Sequence, residues 1–219
     1  MKDRNDALLL FTAIGFVAYF VLNCIAMPFY PGGSITDRSY SGYRFWENFY
    51  SDLGTITAWN GQANVISFWF FESAMIVFIL AVISFAIAIW GLFRSETDKR
   101  SRNLTVFSLT GCAIALIFVT FIPFDTATTI HELFFAIGVL LSIPGGVVLG
   151  KMLLKHDKVP RILGRLIQVY ALVVVYFLVG AGISPSLQFT ALLQKILVFA
   201  IVFVFPVESL AIKKYRDQL

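Results

Sequence analysis

The chain contains six long apolar runs, and these runs decide what it can fold into. They cover residues 7–27, 67–93, 103–123, 131–152, 162–183 and 188–210. Each is close to the roughly 20 residues that an α-helix needs to cross about 30 Å of hydrocarbon. None shows the apolar and polar alternation of a membrane β-strand. We therefore predict an all-α polytopic membrane protein with six transmembrane helices in a single domain, residues 1–219.

The composition agrees with a membrane protein. Hydrophobic residues make up 58% of the chain and charged residues only 14%, whereas soluble domains carry about 25% charged residues. The first run is too long for a secretory signal peptide and no small-residue cleavage site follows it, so we expect it to remain as a helix. Cys24 and Cys112 both fall inside runs, which predicts small apolar residues and neither a disulfide nor a metal site.

The basic residues are concentrated in every second segment between the runs. Cytoplasmic loops retain Lys and Arg, so we expect both termini to be cytoplasmic and the long first loop, 28–66, to lie outside. The net charge of +4 then reflects topology and contact with anionic lipids, not nucleic-acid binding. The basic segments contain Lys2 and Arg4; Arg94, Lys99, Arg100 and Arg102; Lys151, Lys155, Lys158, Arg161 and Arg165; and Lys213, Lys214 and Arg216.

Two local patterns add detail to this outline. The first loop is rich in aromatic residues between Tyr43 and Tyr50, which predicts a short helix lying in the membrane interface. In the fourth span, Pro144 stands beside two glycines and predicts a kink. Gly146 and Gly150 form a GxxxG pattern, which favours close packing against a neighbouring helix.

Polar residues that are out of place in a membrane share one depth. An ionised group at the bilayer centre costs at least about 2.5–3.5 kcal/mol, yet several such groups lie in the outer third of the membrane when residues are counted along the spans. Only Glu208 lies elsewhere, near the inner surface. The outer set comprises Glu47, Ser51 and Asp52 in the first loop and Glu72, Asp125, His131, Glu132 and Lys195 at or near span ends.

Each of these residues has a structural interpretation. Thr129 and Glu132 fit a capping box at the start of the fourth helix. Asp125 is either a helix cap or a solvated turn residue. Lys195 either extends to the headgroups or forms a salt bridge with Glu72 inside the bundle. A histidine at a helix start is often no more than a hydrogen-bonding residue.

A functional interpretation uses the same residues together. The helix dipole disfavours protonation of His131, which leaves a neutral imidazole able to act as a base. Asp125 or Asp52 would orient it, and Ser51 or a water molecule would be the nucleophile. Lys195 would hold an anionic headgroup or phosphate. The candidate catalytic residues are thus His131, Asp125, Asp52 and Ser51, and the candidate substrate-binding residues are Lys195, Glu72 and Glu132.

Metal chemistry is limited by the small number of ligands. His156 belongs to a cytoplasmic loop, so a single histidine faces outward and a three-histidine zinc site is excluded within one chain. A hard divalent cation held by Asp52, Glu72, Asp125 and Glu132 stays open as an alternative. We expect no metal and no other cofactor.

Two short motifs carry a resemblance to known families. "FYSDLGT" at 49–55 and "FDTATTIHELFF" at 124–135 resemble the membrane family called domain of unknown function 998. They are also similar to the Frag-DRAM-Sfk superfamily of six-helix proteins. The resemblance implies a prokaryotic cell-membrane protein and carries over Ser51, Asp52, Gly54 and His131, with Asp125. Some Frag-like members take part in lipid remodelling of GPI anchors.

Three classes of function follow. The first is a lipid-modifying enzyme of hydrolase or acyl-transfer type with an outer-leaflet site and membrane lipids as its partners. The second is a non-catalytic scaffold or accessory subunit, with a membrane-protein partner or a second copy of the chain. The third is a small transporter, which the structured first loop and the scarcity of mid-membrane polar residues disfavour.

Overall fold

Six long helices are formed by the part of the chain that the structure describes. A computed structural model describes residues 2–95 and 98–219, apart from the Lys2 side chain. Each helix is long and apolar enough to span a membrane, and no strand is formed within the described ranges. The predicted all-α architecture with six spans is therefore confirmed. The helices are α1 (Lys2–Ala26), α2 (Val65–Leu92), α3 (Lys99–Phe121), α4 (Thr128–Lys155), α5 (Arg161–Ile183) and α6 (Leu187–Tyr215).

Several helices extend past the apolar runs. The fourth begins at Thr128 instead of residue 131 and ends at Lys155 instead of residue 152, and α6 continues to Tyr215. A helix satisfies its own backbone hydrogen bonds in water as well as in lipid, so a charged turn does not end it. Hydropathy therefore marks the part of a helix that lies in hydrocarbon and not its full length.

The helices form a closed ring. Each packs mainly against its neighbours in the sequence, and α6 packs back against α1. Short connections make consecutive helices antiparallel neighbours. Residues 27–64, 122–127 and 184–186 therefore meet at one end, which we call the loop end. The other end, which we call the basic end, includes an ion pair between Arg216 and Asp6.

The first loop does not form the predicted interfacial helix. Residues 45–47 form a turn, and the only helical segment between Pro31 and Asn64 is a 3-10 helix, Tyr50–Gly54, whose residues are all buried. This 3-10 helix packs against α1, α2 and α6 and covers the ring at the loop end. Buried polar groups inside the bundle, described below, hold the loop there and keep it from lying flat on a membrane surface.

The small residues of α4 pack as the sequence predicts. A Cβ atom on Gly150 would lie 2.7 Å from the carbonyl oxygen of Gly164 on α5, and one on Gly146 would lie 3.6 Å from the Cβ of Ala171. The GxxxG face therefore meets α5, with Gly164 as its partner. The helix continues through Pro144 to Lys155.

Candidate functional site

A narrow central cavity lies inside the ring beneath the first loop. Its volume is about 80 Å³, and its wall includes residues from all six helices together with Tyr50 and Ser51 of the 3-10 helix. Most of the lining is apolar. At the end remote from the loop, the hydroxyl of Tyr170 donates to Ser142 Oγ at 3.2 Å.

A larger side cavity adjoins it at the loop end, between α4, α5 and α6. Its volume is about 420 Å³, within the range of small-molecule sites. It opens at the surface of the bundle, where Glu132, Gly182 and Leu187 are exposed. Ser51, His131, Phe135 and Gln194 line both cavities. These four residues therefore mark the junction between the two spaces.

His131 is held at this junction in a defined state. Its side chain is buried, with 5% of its surface exposed, and Nδ1 lies 2.7 Å from the main-chain oxygen of Ile122. A carbonyl oxygen only accepts hydrogen bonds, so Nδ1 carries the proton. In the neutral imidazole, Nε2 then has a free lone pair. The ring also packs against Phe124 at a centroid distance of 5.2 Å.

The 3-10 helix brings Ser51 to the same junction. Ser51 lies next to Asp52, but the two side chains have different surroundings: Ser51 lines both cavities, whereas Asp52 lines neither. Of the SDLG motif, Ser51 therefore lines the same two cavities as His131. A nucleophile and a base of the types proposed from the sequence border one space.

Gln194 is a site residue that the sequence analysis missed. Its Oε1 accepts a 2.7 Å hydrogen bond from the main-chain N–H of Tyr50. Because an N–H group needs an acceptor, this bond fixes the orientation of the amide and leaves Nε2 as a donor at the junction. The sequence did contain a signal for Gln194. Like Lys195 beside it, it is a polar residue in the outer part of a span, and a polar side chain costs free energy in hydrocarbon.

Asp52 organises the loop. Its buried carboxylate accepts from Trp59 Nε1 at 2.8 Å, Asn48 Nδ2 at 2.8 Å and the main-chain N–H of Phe49 at 2.9 Å. Burial raises the pKa of Asp52 to about 6, against the opposing effect of these three donors and of the Lys195 charge. The Asp52 carboxylate is therefore bound to donors of the first loop and does not orient His131. His131 has the Ile122 carbonyl as its hydrogen-bond partner.

The remaining residues of the SDLG motif also have contacts that explain them. The main-chain oxygen of Leu53 accepts from Asn64 Nδ2 at 2.9 Å and from Ser67 Oγ at 3.2 Å, which ties the motif to the start of α2. Gly54 lies against the ring of Phe71, where a Cβ atom would overlap the ring carbons. The motif thus places Ser51 by fixing the residues on its C-terminal side.

Asp125 fastens the first loop to the turn before α4. Its two carboxylate oxygens accept from the main-chain N–H groups of Ile56 and Thr57 at 3.1 and 3.0 Å. The structure thus gives Asp125, like Asp52, a backbone-anchoring contact and does not make it the partner of His131. The motif "FDTATTIHELFF" supplies two separate contacts, one from Asp125 to the loop and one from His131 to Ile122.

Lys195 is buried beneath the loop and lines neither of the two cavities. Only 1% of its surface is exposed, and Nζ donates a hydrogen bond to the main-chain oxygen of Asn48. The rings of Tyr43, Phe45 and Tyr50 surround the ammonium at 5.3–5.6 Å. The expected salt bridge to Glu72 is not formed, because the ammonium is directed to a carbonyl oxygen of the loop.

Two further expectations at the loop end are corrected. The capping box of Thr129 and Glu132 is absent, because α4 begins at Thr128 with Ala127 as its N-cap and no capping side chain. Glu132 is instead exposed at the side cavity. Glu72 is half-buried on α2. Within residues 2–95 and 98–219, no group of three or more His, Cys, Asp or Glu side chains is placed to hold a metal ion.

Glu208 stands apart from this site, as the depth count predicts. It lies on α6 toward the basic end and is fully buried. Neither of its carboxylate oxygens has a hydrogen-bond partner among the described residues. It borders neither of the two cavities that contain His131.

The fold and the site together define a polytopic α-helical membrane protein with a polar junction beneath a structured loop. The chain belongs to the family described as protein of unknown function DUF998, whose profile matches residues 24–207. This match includes both motifs and all four residues at the junction. No curated protein and no solved structure matches the chain.

Proposed function

We propose that the protein is a membrane-embedded enzyme that cleaves or transfers the acyl group of a lipid ester. The observation that supports this most is the placement of Ser51 and His131 on the wall of the same two cavities. One cavity is central and mostly apolar, and the other opens at the bundle surface. An ester at the junction would have its acyl part in the first and its alcohol part in the second.

Apart from the lipid ester and the acceptor of its acyl group, the chemistry uses only side chains at the junction. His131 Nε2 takes the proton of the Ser51 hydroxyl while Oγ attacks the ester carbonyl carbon. The protonated imidazole then gives that proton to the departing alcohol oxygen, which leaves an acyl-serine. Water, or the hydroxyl of a second lipid, then gives its proton to His131 Nε2 and attacks the acyl-serine. The imidazole passes this proton to Ser51 Oγ as the acyl group leaves, which completes hydrolysis or transfer. Alternatively, His131 activates a water molecule that attacks the ester directly.

Two groups support this reaction. The Ile122 carbonyl holds the Nδ1–H tautomer and so keeps Nε2 basic; a backbone carbonyl is an established partner for this purpose. Gln194 Nε2 is the donor best placed to stabilise the oxyanion, because the Tyr50 N–H fixes the other end of its amide.

Glu132 lines the alcohol side at the mouth of the side cavity. Asp52, Asp125 and Lys195 position the loop that carries Ser51.

The experiment uses purified protein in liposomes of phosphatidylethanolamine and phosphatidylglycerol, with free fatty acids, lysolipids and acylated products followed by mass spectrometry. His131→Asn is the informative variant, since the Asn amide preserves the donor to Ile122 and removes Nε2. We expect the product rate to fall at least about 100-fold. His156→Asn, at the basic end, is the matched control and should change the rate less than twofold.

The results separate the possible routes. Loss of product in both Ser51→Ala and His131→Asn supports the acyl-serine, whereas loss in His131→Asn alone supports the activated water. A product level equal to that of empty liposomes for the wild-type protein argues against an enzyme. That outcome favours the second candidate.

The second candidate is a non-catalytic scaffold or accessory subunit. The contacts of Asp52, Asp125 and Lys195 favour it, because all three hold the first loop in one conformation, as a docking surface requires. On this interpretation a membrane-protein partner or a second copy of the chain binds the loop end. Co-purification of a stoichiometric partner that is lost with Asp125→Asn would support it.

A further inference from the structure

The side cavity has one acidic side chain at its mouth and no basic one in its wall. Of the described residues that line it, Glu132 is the only Asp, Glu, Lys or Arg. Glu132 is exposed, and its carboxylate forms no hydrogen bond or ion pair within the described part of the chain. It is therefore available to a ligand of opposite charge.

Four phenylalanine side chains line the same cavity. They come from the first loop, the turn before α4, α4 and α5, and they are Phe49, Phe124, Phe135 and Phe177. The rings meet edge to face in two pairs. The centroids of Phe49 and Phe124 lie 6.0 Å apart, and those of Phe135 and Phe177 lie 5.8 Å apart. The face of an aromatic ring carries negative charge density and attracts cations.

The helices bring the carboxylate and the rings to one space. Glu132 and Phe135 are three residues apart on α4 and so lie on the same face of that helix. On α5, Gly182 lies at the mouth, and nothing lies within 4 Å of a Cβ atom added to it. The volume of about 420 Å³ is within the range of small-molecule sites. The cavity therefore has room for a substituted amine.

The charge of the ligand is the reverse of what the sequence predicts. The sequence predicts an anionic headgroup at Lys195, but Lys195 lines neither cavity. The connecting segments at the loop end also contain more acidic than basic residues, and such an excess attracts cations. The acidic residues are Asp37, Glu47, Asp52 and Asp125, and the basic residues are Arg38 and Arg44.

We propose that the side cavity is a binding site for an organic ammonium group, with Glu132 as its counter-charge and the four phenylalanine rings as part of its wall. Aromatic rings are a recurrent environment for ammonium ligands. A phosphate or carboxylate of the ligand stays outside, because the lining supplies no Lys or Arg to hold it. The assignment of the ammonium to the alcohol part of an ester rests on the proposed function, whereas the site itself is tested by binding alone.

The experiment measures dissociation constants of two ethers by saturation-transfer difference NMR, with the protein in a non-ionic detergent. One is the butyl ether of choline. The other is butyl 3,3-dimethylbutyl ether, which has the same shape and no charge. An ether is not an ester, so binding is measured without turnover. We expect Glu132→Gln to weaken binding of the choline ether at least about tenfold and to change binding of the neutral ether less than about twofold.

Glu47→Gln is the matched control, because it removes a carboxylate at the loop end that does not line the cavity. Glu132→Lys is a second variant and should reverse the preference, so that 2-butoxyethanesulfonate binds and the choline ether does not. Equal binding of the choline ether to the wild-type protein and Glu132→Gln would overturn the proposal. Equal weakening by Glu132→Gln and Glu47→Gln would also overturn it.

Nanodiscs of a neutral galactolipid separate two sources of the ammonium group. If a lipid headgroup is the ligand, added phosphatidylethanolamine should compete with the choline ether and raise its apparent dissociation constant. If the ligand is a small soluble amine, the constant should not change. Binding of the choline ether without lipid turnover would leave the ammonium site standing and remove the enzyme. Lipid turnover with no effect of Glu132→Gln on binding would do the reverse.

Discussion

Lys195 donates a hydrogen bond to the main-chain oxygen of Asn48, a residue 147 positions earlier in the chain. Asn48 in turn donates to Asp52, so the two opposite charges hold the same residue from two sides. A buried ammonium would be costly without these partners. The pair fixes the first loop above the ring and thereby sets the position of Ser51.

Replacing Lys195 by methionine should destabilise the loop end. Lys195→Met keeps the apolar stem, but it leaves the Asn48 carbonyl with only the 3.4 Å hydrogen bond from the Tyr43 hydroxyl and removes the positive charge beside Asp52. An unsatisfied buried group costs about 1–3 kcal/mol, so we expect the melting temperature in detergent, followed by tryptophan fluorescence, to fall by several degrees. Lys214→Met, on the same helix near the basic end, is the control. An unchanged or higher melting temperature for Lys195→Met would mean that burying the ammonium destabilises the protein at least as much as its contacts stabilise it.

Asp52 should give the protein a pH-dependent stability with an unusual sign. Its pKa is raised from 3.8 to about 6 in the folded protein, so between these values the folded state binds the proton more tightly than the unfolded state. The stabilisation from this group is therefore complete below about pH 4, is lost as the pH rises toward 6, and is absent above that. The shift of roughly two units corresponds to about 3 kcal/mol.

The measurement is the free energy of unfolding between pH 4 and pH 7 for the wild-type protein and Asp52→Asn. The variant should be less stable throughout, because one of the three donors to the carboxylate must face the Asn amide group. The difference between the two proteins should change across the window of pH 4–6. A constant difference would contradict the raised pKa.

Gly54 should tolerate no side chain unless Phe71 is replaced by a smaller residue. Gly54→Ala places a methyl group within the Phe71 ring, and overpacking of this kind costs about 1–3 kcal/mol. We expect a lower melting temperature for Gly54→Ala and partial recovery in the double variant with Phe71→Leu. Gly182→Ala, where nothing lies within 4 Å of the new methyl group, should have little effect. If the double variant does not recover any of the lost melting temperature, the destabilisation by Gly54→Ala does not come from overlap with Phe71.

The distribution of basic residues predicts which end of the bundle faces the cytoplasm. In a variant without Cys24 and Cys112, single cysteines at Asp37 and Lys158 place a partly exposed thiol at the loop end and an exposed thiol at the basic end. With a membrane-impermeant maleimide on intact cells, we expect Asp37→Cys to react and Lys158→Cys to react only after permeabilisation. The opposite pattern would put the His131 site on the cytoplasmic face.

The sequence by itself determined the class of protein and the residues worth attention. Hydropathy is a property of consecutive residues, so six spans could be counted without any knowledge of their packing. Ser51 and His131 could be singled out because polar residues at the edge of an apolar chain are few and costly. The two motifs were sufficient for the family.

The tertiary structure decided which of these residues meet. Helices that are apolar on every side give no signal of which face turns inward, so the closed ring and its cavities could not be read from the spans. Counting residues along the spans placed Asp52, Asp125 and Lys195 at the depth of His131. It could not assign their hydrogen-bond partners. Those partners include backbone groups at Phe49, Ile56 and Asn48, and backbone groups have the same chemistry at almost every residue. Only the folded chain selects which of them comes within hydrogen-bonding distance.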